Sequence, residues 1–237
     1  MKLNAKEIAI SNASKELESI YSKISNLDKL DVGELKKDNT LIISVDLNNG
    51  FSKFGAMSSP RVEAIINKTV KFFELMKNKG IKIVAYTDYH DVDAVEFNSY
   101  PSHCLANTSE SELVEEILPY VDLTIKKQST NGFLAANPLI KSECGYQDLS
   151  QIDLDKIDKI IFTGDCTDIC VYQFAITMKT YLNQVNRDCE VIVLTDFIET
   201  YHLDGIHDSD LNNLVFVNSL IANGVKVYTN IKGENDD

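Results

Sequence analysis

The chain opens on a polar stretch, residues 1 to about 38, in which Ile8, Leu17, Ile20, Tyr21, Ile24, Leu27 and Leu30 recur near helical spacing. Apolar positions three and four apart share one face of a helix. The segment is therefore predicted to form one or two amphipathic helices that pack on the rest of the chain or on a second subunit, which leaves a homo-oligomer open. After Asp38-Asn39-Thr40 the pattern changes. Residues 41–45, Leu-Ile-Ile-Ser-Val, are apolar without alternation, as in a strand covered on both faces. Further strands are predicted at 81–86, 122–126, 160–163, 191–195 and 225–229. Between them lie helical patterns. Ser59-Pro60 starts one whose apolar face is Val62, Ile65, Ile66, Thr69, Phe72, Phe73 and Met76, and Gly80 stops it. Ser109-Glu110-Ser111-Glu112 has the form of a capping box opening a helix to about Leu118. Val171, Phe174, Ala175, Met178 and Leu182 mark another, and Leu211, Leu214, Val215 and Ile221 the last.

Strands alternating with helices predict a three-layer α/β/α fold around a six-stranded, mostly parallel, doubly wound sheet. Residues 39–237 would form this domain and residues 1–38 a helical extension. Ligands in such folds bind beyond the carboxyl ends of the strands. That rule alone gathers Asp46 after the first strand, Asp88 and His90 after the second, Lys127 after the third and Cys170 after the fourth.

Composition narrows the classes. Hydrophobic residues at 44% and charged residues at 25% are ordinary for a soluble globular chain. A formal net charge of -13 argues against a nucleic-acid partner, which needs a basic patch. The apolar runs are too short to span a bilayer and the N-terminus lacks the apolar region of a signal peptide, so no membrane partner and a cytoplasmic location are expected. Five cysteines (Cys104, Cys144, Cys166, Cys170 and Cys189) at irregular spacing suit reduced thiols better than a disulfide framework.

The gathered groups suggest chemistry. Cys170 falls in the first turn of a helix, whose dipole favours thiolate. Asp46 could take the thiol proton, Lys127 could hold the pair electrostatically, and backbone N–H groups of the 164–170 turn could form an oxyanion hole. Together these specify attack on an acyl carbon, most simply an amide. The second loop carries Asp88, His90, Glu96 and His103, two carboxylates and two imidazoles within sixteen residues. This mixed N/O set suits a divalent zinc, iron or manganese ion. Taken singly, each group has a plainer explanation as a turn former, a solvated charge or a structural thiol.

In these residues the chain resembles the isochorismatase-like cysteine hydrolases, and within them the nicotinamidases, over about residues 40 to 230. Asp46-Leu47-Asn48-Asn49-Gly50-Phe51 is similar to the family's first-strand motif, which implies Asp46 as the catalytic acid–base and Phe51 as a wall against which a ring substrate stacks. Asn48 stands where the family often has Gln, and Gly50 replaces a common Asp. Asp88, His90, Glu96 and His103 fall on the nicotinamidase metal loop, with Tyr100-Pro101-Ser102-His103-Cys104 matching its closing motif. Lys127, six before Phe133, resembles the catalytic Lys; Lys126 is the weaker choice. Gly164-Asp165-Cys166-Thr167-Asp168-Ile169-Cys170-Val171 resembles the nucleophile motif. The resemblance implies Cys170 as nucleophile, a cis peptide between Asp165 and Cys166, and oxyanion donors at the backbone of Cys166 and Cys170. Cys166 departs from the small residue common there. No Trp is present to face Phe51, a place that Phe97, Tyr89 or Tyr100 could take.

The resemblance implies hydrolysis of nicotinamide to nicotinate and ammonia through a Cys170 thioester, with a divalent metal positioning the pyridine ring. Two rivals remain at this stage. One is hydrolysis of another small amide, ureido or carbamoyl compound; the other is a non-catalytic binding protein on the same fold. A vinyl-ether hydrolase is disfavoured because that chemistry does not need the thiol.

Overall fold

The computed structural model describes residues 6–135 and 156–233. In chain order the elements are α1 (Lys6–Ser25), β1 (Leu30–Asp31), β2 (Thr40–Val45), α2 (Asn49–Ser52), α3 (Pro60–Asn78), β3 (Lys82–Asp88), β4 (Leu123–Lys127), α4 (Gly132–Ala135), β5 (Lys159–Asp165), α5 (Cys170–Gln184), β6 (Glu190–Glu199), α6 (Ser209–Ala222), β7 (Lys226–Tyr228) and β8 (Ile231–Lys232). Six of the strands form a sheet in the order β4-β3-β2-β5-β6-β7. Every pairing in it is parallel. The order reverses at the centre, where β2 lies beside β5.

The central strands carry unbroken apolar runs because both faces are covered: all six residues of β2 are buried, Thr40 and Ser44 among them. Ile42, Ile83, Ala85 and Ile161 face the α3 side, with Phe72, Phe73 and Met76 against them. Leu41, Ile43, Val45, Val84 and Phe162 face the α5 side, with Val171, Phe174 and Leu182 against them. Successive strand residues thus feed opposite cores, the period of two that a pleated strand imposes. α3 begins where the sequence places it: Ser59 caps by accepting from the Arg61 N–H, Pro60 occupies the first turn, and the seven expected apolar positions are its buried face. The chain leaves the helix at Gly80 with φ 74°.

One expectation is revised. The capping box at Ser109 opens only a 3-10 turn, Ser109–Ser111, after which Glu112 is extended. The segment is drawn instead across the loop after β2. Asn49 N–H donates to Glu112 O (2.9 Å) and Val114 N–H to Leu47 O (3.0 Å), while Asn48 Nδ2 donates to Ser111 O (3.1 Å). These bonds claim backbone groups that an α-helix needs for itself, and they bury Leu113, Val114 and Ile117. The N-terminal segment forms the single helix α1, which packs on α6. The chain then adds β1, paired in parallel with β8 in a small separate sheet, and Leu30, Val32 and Leu35 enter the α3-side core. Cys104, Cys166, Cys170 and Cys189 are free and buried; Cys144 lies outside the described residues. Among those residues no helix is long and apolar enough to cross a membrane.

Candidate active site

The carboxyl ends of β2, β3, β4 and β5 meet at the point where the strand order reverses, the place an open parallel sheet offers to a ligand. Gly164 is what lets β5 approach there. Its φ is 115°, and a Cβ on it would stand 1.9 Å from the Val45 carbonyl oxygen. The peptide that follows, Asp165–Cys166, is cis.

Asp46 leaves β2 with φ 52°, a left-handed conformation uncommon for a residue other than glycine. Its N–H donates to Tyr86 O (2.8 Å), and its side chain is fully buried. Lys127, at the end of β4, is buried beside it with Nζ 2.7 Å from Asp46 Oδ2. The two form a buried ion pair. The same ammonium pairs with Asp88, donates to Ser129 O (3.0 Å) and lies 3.9 Å from Cys170 Sγ. The triad anticipated from the sequence is therefore one contiguous cluster.

One ammonium shared between two buried carboxylates sets the electrostatics. Burial, then the charge of Asp88, pushes Asp46 up to about 7 despite Lys127. Burial also works against the Asp88 charge, but Lys127, His103 and His90 outweigh it and hold that carboxyl well below the usual range. Burial works to strip the Lys127 charge, yet the two carboxylates keep it well above the ordinary lysine value. For Cys170, burial drives the thiol well above its ordinary value, with Lys127 opposing and Asp46 and Asp88 adding to the rise. The helix-start position of Cys170 thus does not by itself give a thiolate. Cys170 does open α5, so its N–H has no acceptor within the helix.

Against this cluster lies the second. One ligand atom from each of Asp88, His90, Glu96 and His103 falls within 4.8 Å of the others. Asp88 Oδ2 is 3.4 Å from Nε2 of both His90 and His103, about the separation that two ligands keep on ~2.1 Å bonds to one ion. His103 Nδ1 bonds the Pro101 carbonyl (2.7 Å), which turns Nε2 toward the cluster as an outer partner of a ligating histidine does. Both His90 nitrogens are buried without a hydrogen-bond partner. Such orphaned groups are costly unless something converges on them, and the donor set fits a divalent ion.

Both clusters border one small cleft, to which Phe51, Tyr100, Glu96, Cys166, Cys170 and Tyr201 contribute. Of the aromatic candidates, Tyr100 lines the cleft. Phe97 sits behind it against the His90 ring, at 5.3 Å. Tyr89 faces a different groove, with Lys126 Nζ 3.7 Å over its ring. Residues 40–229 match the Isochorismatase domain. The chain belongs to this family. Nicotinamidase 1 of Arabidopsis thaliana is 26% identical over 180 residues, 70% of this chain and 72% of that one. PnC1 from L. infantum in complex with nicotinate superposes with a TM-score of 0.64 at 15% identity, over 84% of this chain and 98% of that one. The pyrazinamidase of Pyrococcus horikoshii in complex with zinc gives 0.57 at 22% identity, over 81% and 99%. At such identities the structures establish a shared fold.

This isochorismatase domain also holds residues that sequence reasoning passed over. Asp165 is a third buried carboxyl, raised well above its ordinary value by burial and then by Asp46; it accepts from Cys166 Sγ at 3.6 Å. Tyr201 follows β6, whose end lies on the same sheet edge, so the strand-end rule could have found it. Gly50, a departure from the family pattern, stands where a Cβ would be 2.7 Å from Cys104 Sγ.

Proposed function

We propose that the protein is a nicotinamidase-type amidohydrolase that converts nicotinamide and water to nicotinate and ammonia, with residues 39–237 as the hydrolase domain. Family membership and the nicotinamidase relatives support a hydrolase of amide bonds. The observation that carries the narrower reading is the contact between the two clusters: Lys127 joins Asp46 and Asp88 in one buried network, so a cation site and a thiol share a single small cleft.

In this reading Cys170 rests as a thiol and needs a base. Asp46, pushed up to about 7 by burial and then by Asp88, is matched to take that proton near neutrality. The sulfur attacks the carboxamide carbon, and the N–H groups of Cys166 and Cys170 hold the oxyanion. Asp46 returns the proton to departing ammonia. Water, deprotonated by Asp46, then cleaves the thioester and restores the thiol. Lys127 stays charged and keeps Asp46 beside the sulfur, while Phe51 offers its ring to the substrate. A divalent ion held by Asp88, His90, Glu96 and His103, whether zinc, iron or manganese, would supply a Lewis acid to the pyridine nitrogen. The product nicotinate would enter pyridine nucleotide salvage.

The test is ammonia release from nicotinamide by purified protein, with and without chelator, alongside elemental analysis. Turnover that falls on chelation and vanishes in Cys170→Ala is expected. Full activity of metal-free protein on another small amide, with none on nicotinamide, would replace the substrate assignment.

A further inference from the structure

The loop between β6 and α6 brings a second ordered network to the cleft. Tyr201 lines the cleft, and its ring lies flat on that of His207, with centroids 4.0 Å apart and planes 15° from parallel. His207 is fixed at both nitrogens. Nε2 is 2.7 Å from Asp168 Oδ2, and Nδ1 is 2.9 Å from the Tyr201 carbonyl oxygen. Asp168 is buried in the turn two residues before Cys170, and its other oxygen accepts from Thr200 Oγ1 at 2.6 Å. Thr167 N–H donates to Glu199 O at 3.0 Å. Leu203 and His207 close the loop with an antiparallel bridge. A surface tyrosine would need none of this. Here a stacked imidazole and a buried carboxylate hold one ring against the cleft and tie it to the backbone that carries the nucleophile.

We infer that Tyr201 is a specificity-determining wall for a ring-bearing substrate, and that His207 and Asp168 are the positioning residues that hold it in register with Cys170. The inference rests on the amide-hydrolase reading. It adds, beside Phe51 and Tyr100, an aromatic surface supplied by a loop outside the four motifs. A ring-stacking contact is sequence-tolerant among aromatic side chains, so Tyr201→Phe should behave as wild type. Tyr201→Ala should raise KM for nicotinamide about five- to tenfold with kcat within about threefold, the size expected of one aromatic pair. His207→Ala should move KM the same way by less, because the tyrosine is loosened and not removed.

The test pairs these kinetics with a measurement independent of nicotinamide. Rates of Cys170 alkylation by 2-chloro-N-phenylacetamide and by chloroacetamide are compared in wild type, Tyr201→Phe, Tyr201→Ala and, should the alanine variant fold poorly, Tyr201→Leu. Selective loss of the ring-bearing reagent's advantage in the alanine or leucine variant, with Tyr201→Phe unchanged, supports the wall. An unaltered ratio, or a fall in kcat at constant KM, overturns it. Wild-type protein inert toward nicotinamide would sink the substrate assignment alone, since the alkylation ratio still decides the role of Tyr201.

Discussion

At the scale of single residues, three buried carboxyls crowd one buried ammonium, and the crowding decides which proton moves. Asp46 has the intermediate position: it touches Lys127 yet feels Asp88 across it, so burial and that second charge leave it near 7. A base works only when deprotonated, so kcat/KM should be low at acid pH and rise through about pH 7 to a plateau. Measuring kcat/KM from pH 5 to 9 checks this, and a flat profile across that range would exclude Asp46 as the base. Lys127→Met removes the charge that lowers Asp46 most and leaves two facing carboxylates unpaired. The acid limb should then shift to higher pH while stability falls by about 3–5 kcal/mol, the usual cost of breaking a buried pair. Denaturant melts read the stability arm, and an unshifted limb in a folded variant would show that Lys127 does not set the Asp46 proton.

At the scale of elements, the site depends on how closely β5 meets β2. Gly164 sits at the crossing with a positive φ and no room for a methyl group beside the Val45 carbonyl. Gly164→Ala must either part the two central strands or twist the turn carrying Cys166 and Cys170. It should cost several kcal/mol and abolish turnover, whereas alanine at Gly205, where nothing lies within 4 Å of the added Cβ, should cost about 1 kcal/mol from the positive φ alone. Thermal melts of the two variants make the comparison, and a Gly164→Ala protein as stable as Gly205→Ala would refute the close approach. The glycine was visible in the sequence only as part of a motif, while the strands flanking it were plain. Buried parallel strands are continuous apolar runs, and α3 carried its cap, proline and stop in local order. The Ser109 capping box failed because its local hydrogen bonds compete with long-range ones to Leu47, Asn48 and Asn49, which no local pattern reveals. The Asp168–His207 pair was missed for the same reason, being made by a loop that folds back on a turn more than thirty residues earlier.

At the scale of the whole molecule, the two clusters at the sheet edge place uncompensated polar groups in the protein's interior, and stability and occupancy should be linked. Both His90 nitrogens are buried and unpartnered, and Asp88 brings a charge among them that Lys127 already shares with Asp46. An unfolded chain scatters the four donors from Asp88 to His103, so an ion that they hold together binds the folded state alone. Free ion at a hundred to a thousand times its dissociation constant would then add about 3–4 kcal/mol to stability. For a chain of this size each kcal/mol moves Tm by about 2–4 °C, so chelator-treated protein should gain about 5–15 °C when zinc or manganese is restored. His90→Ala should abolish most of that gain without lowering the Tm of the chelated protein by a comparable amount, because it removes an orphaned group along with a ligand. Scanning calorimetry of both proteins at fixed free-ion concentration separates the outcomes. Equal Tm values for wild type with chelator and with zinc, manganese or ferrous iron would show that the cluster is a structural polar network and not an ion site.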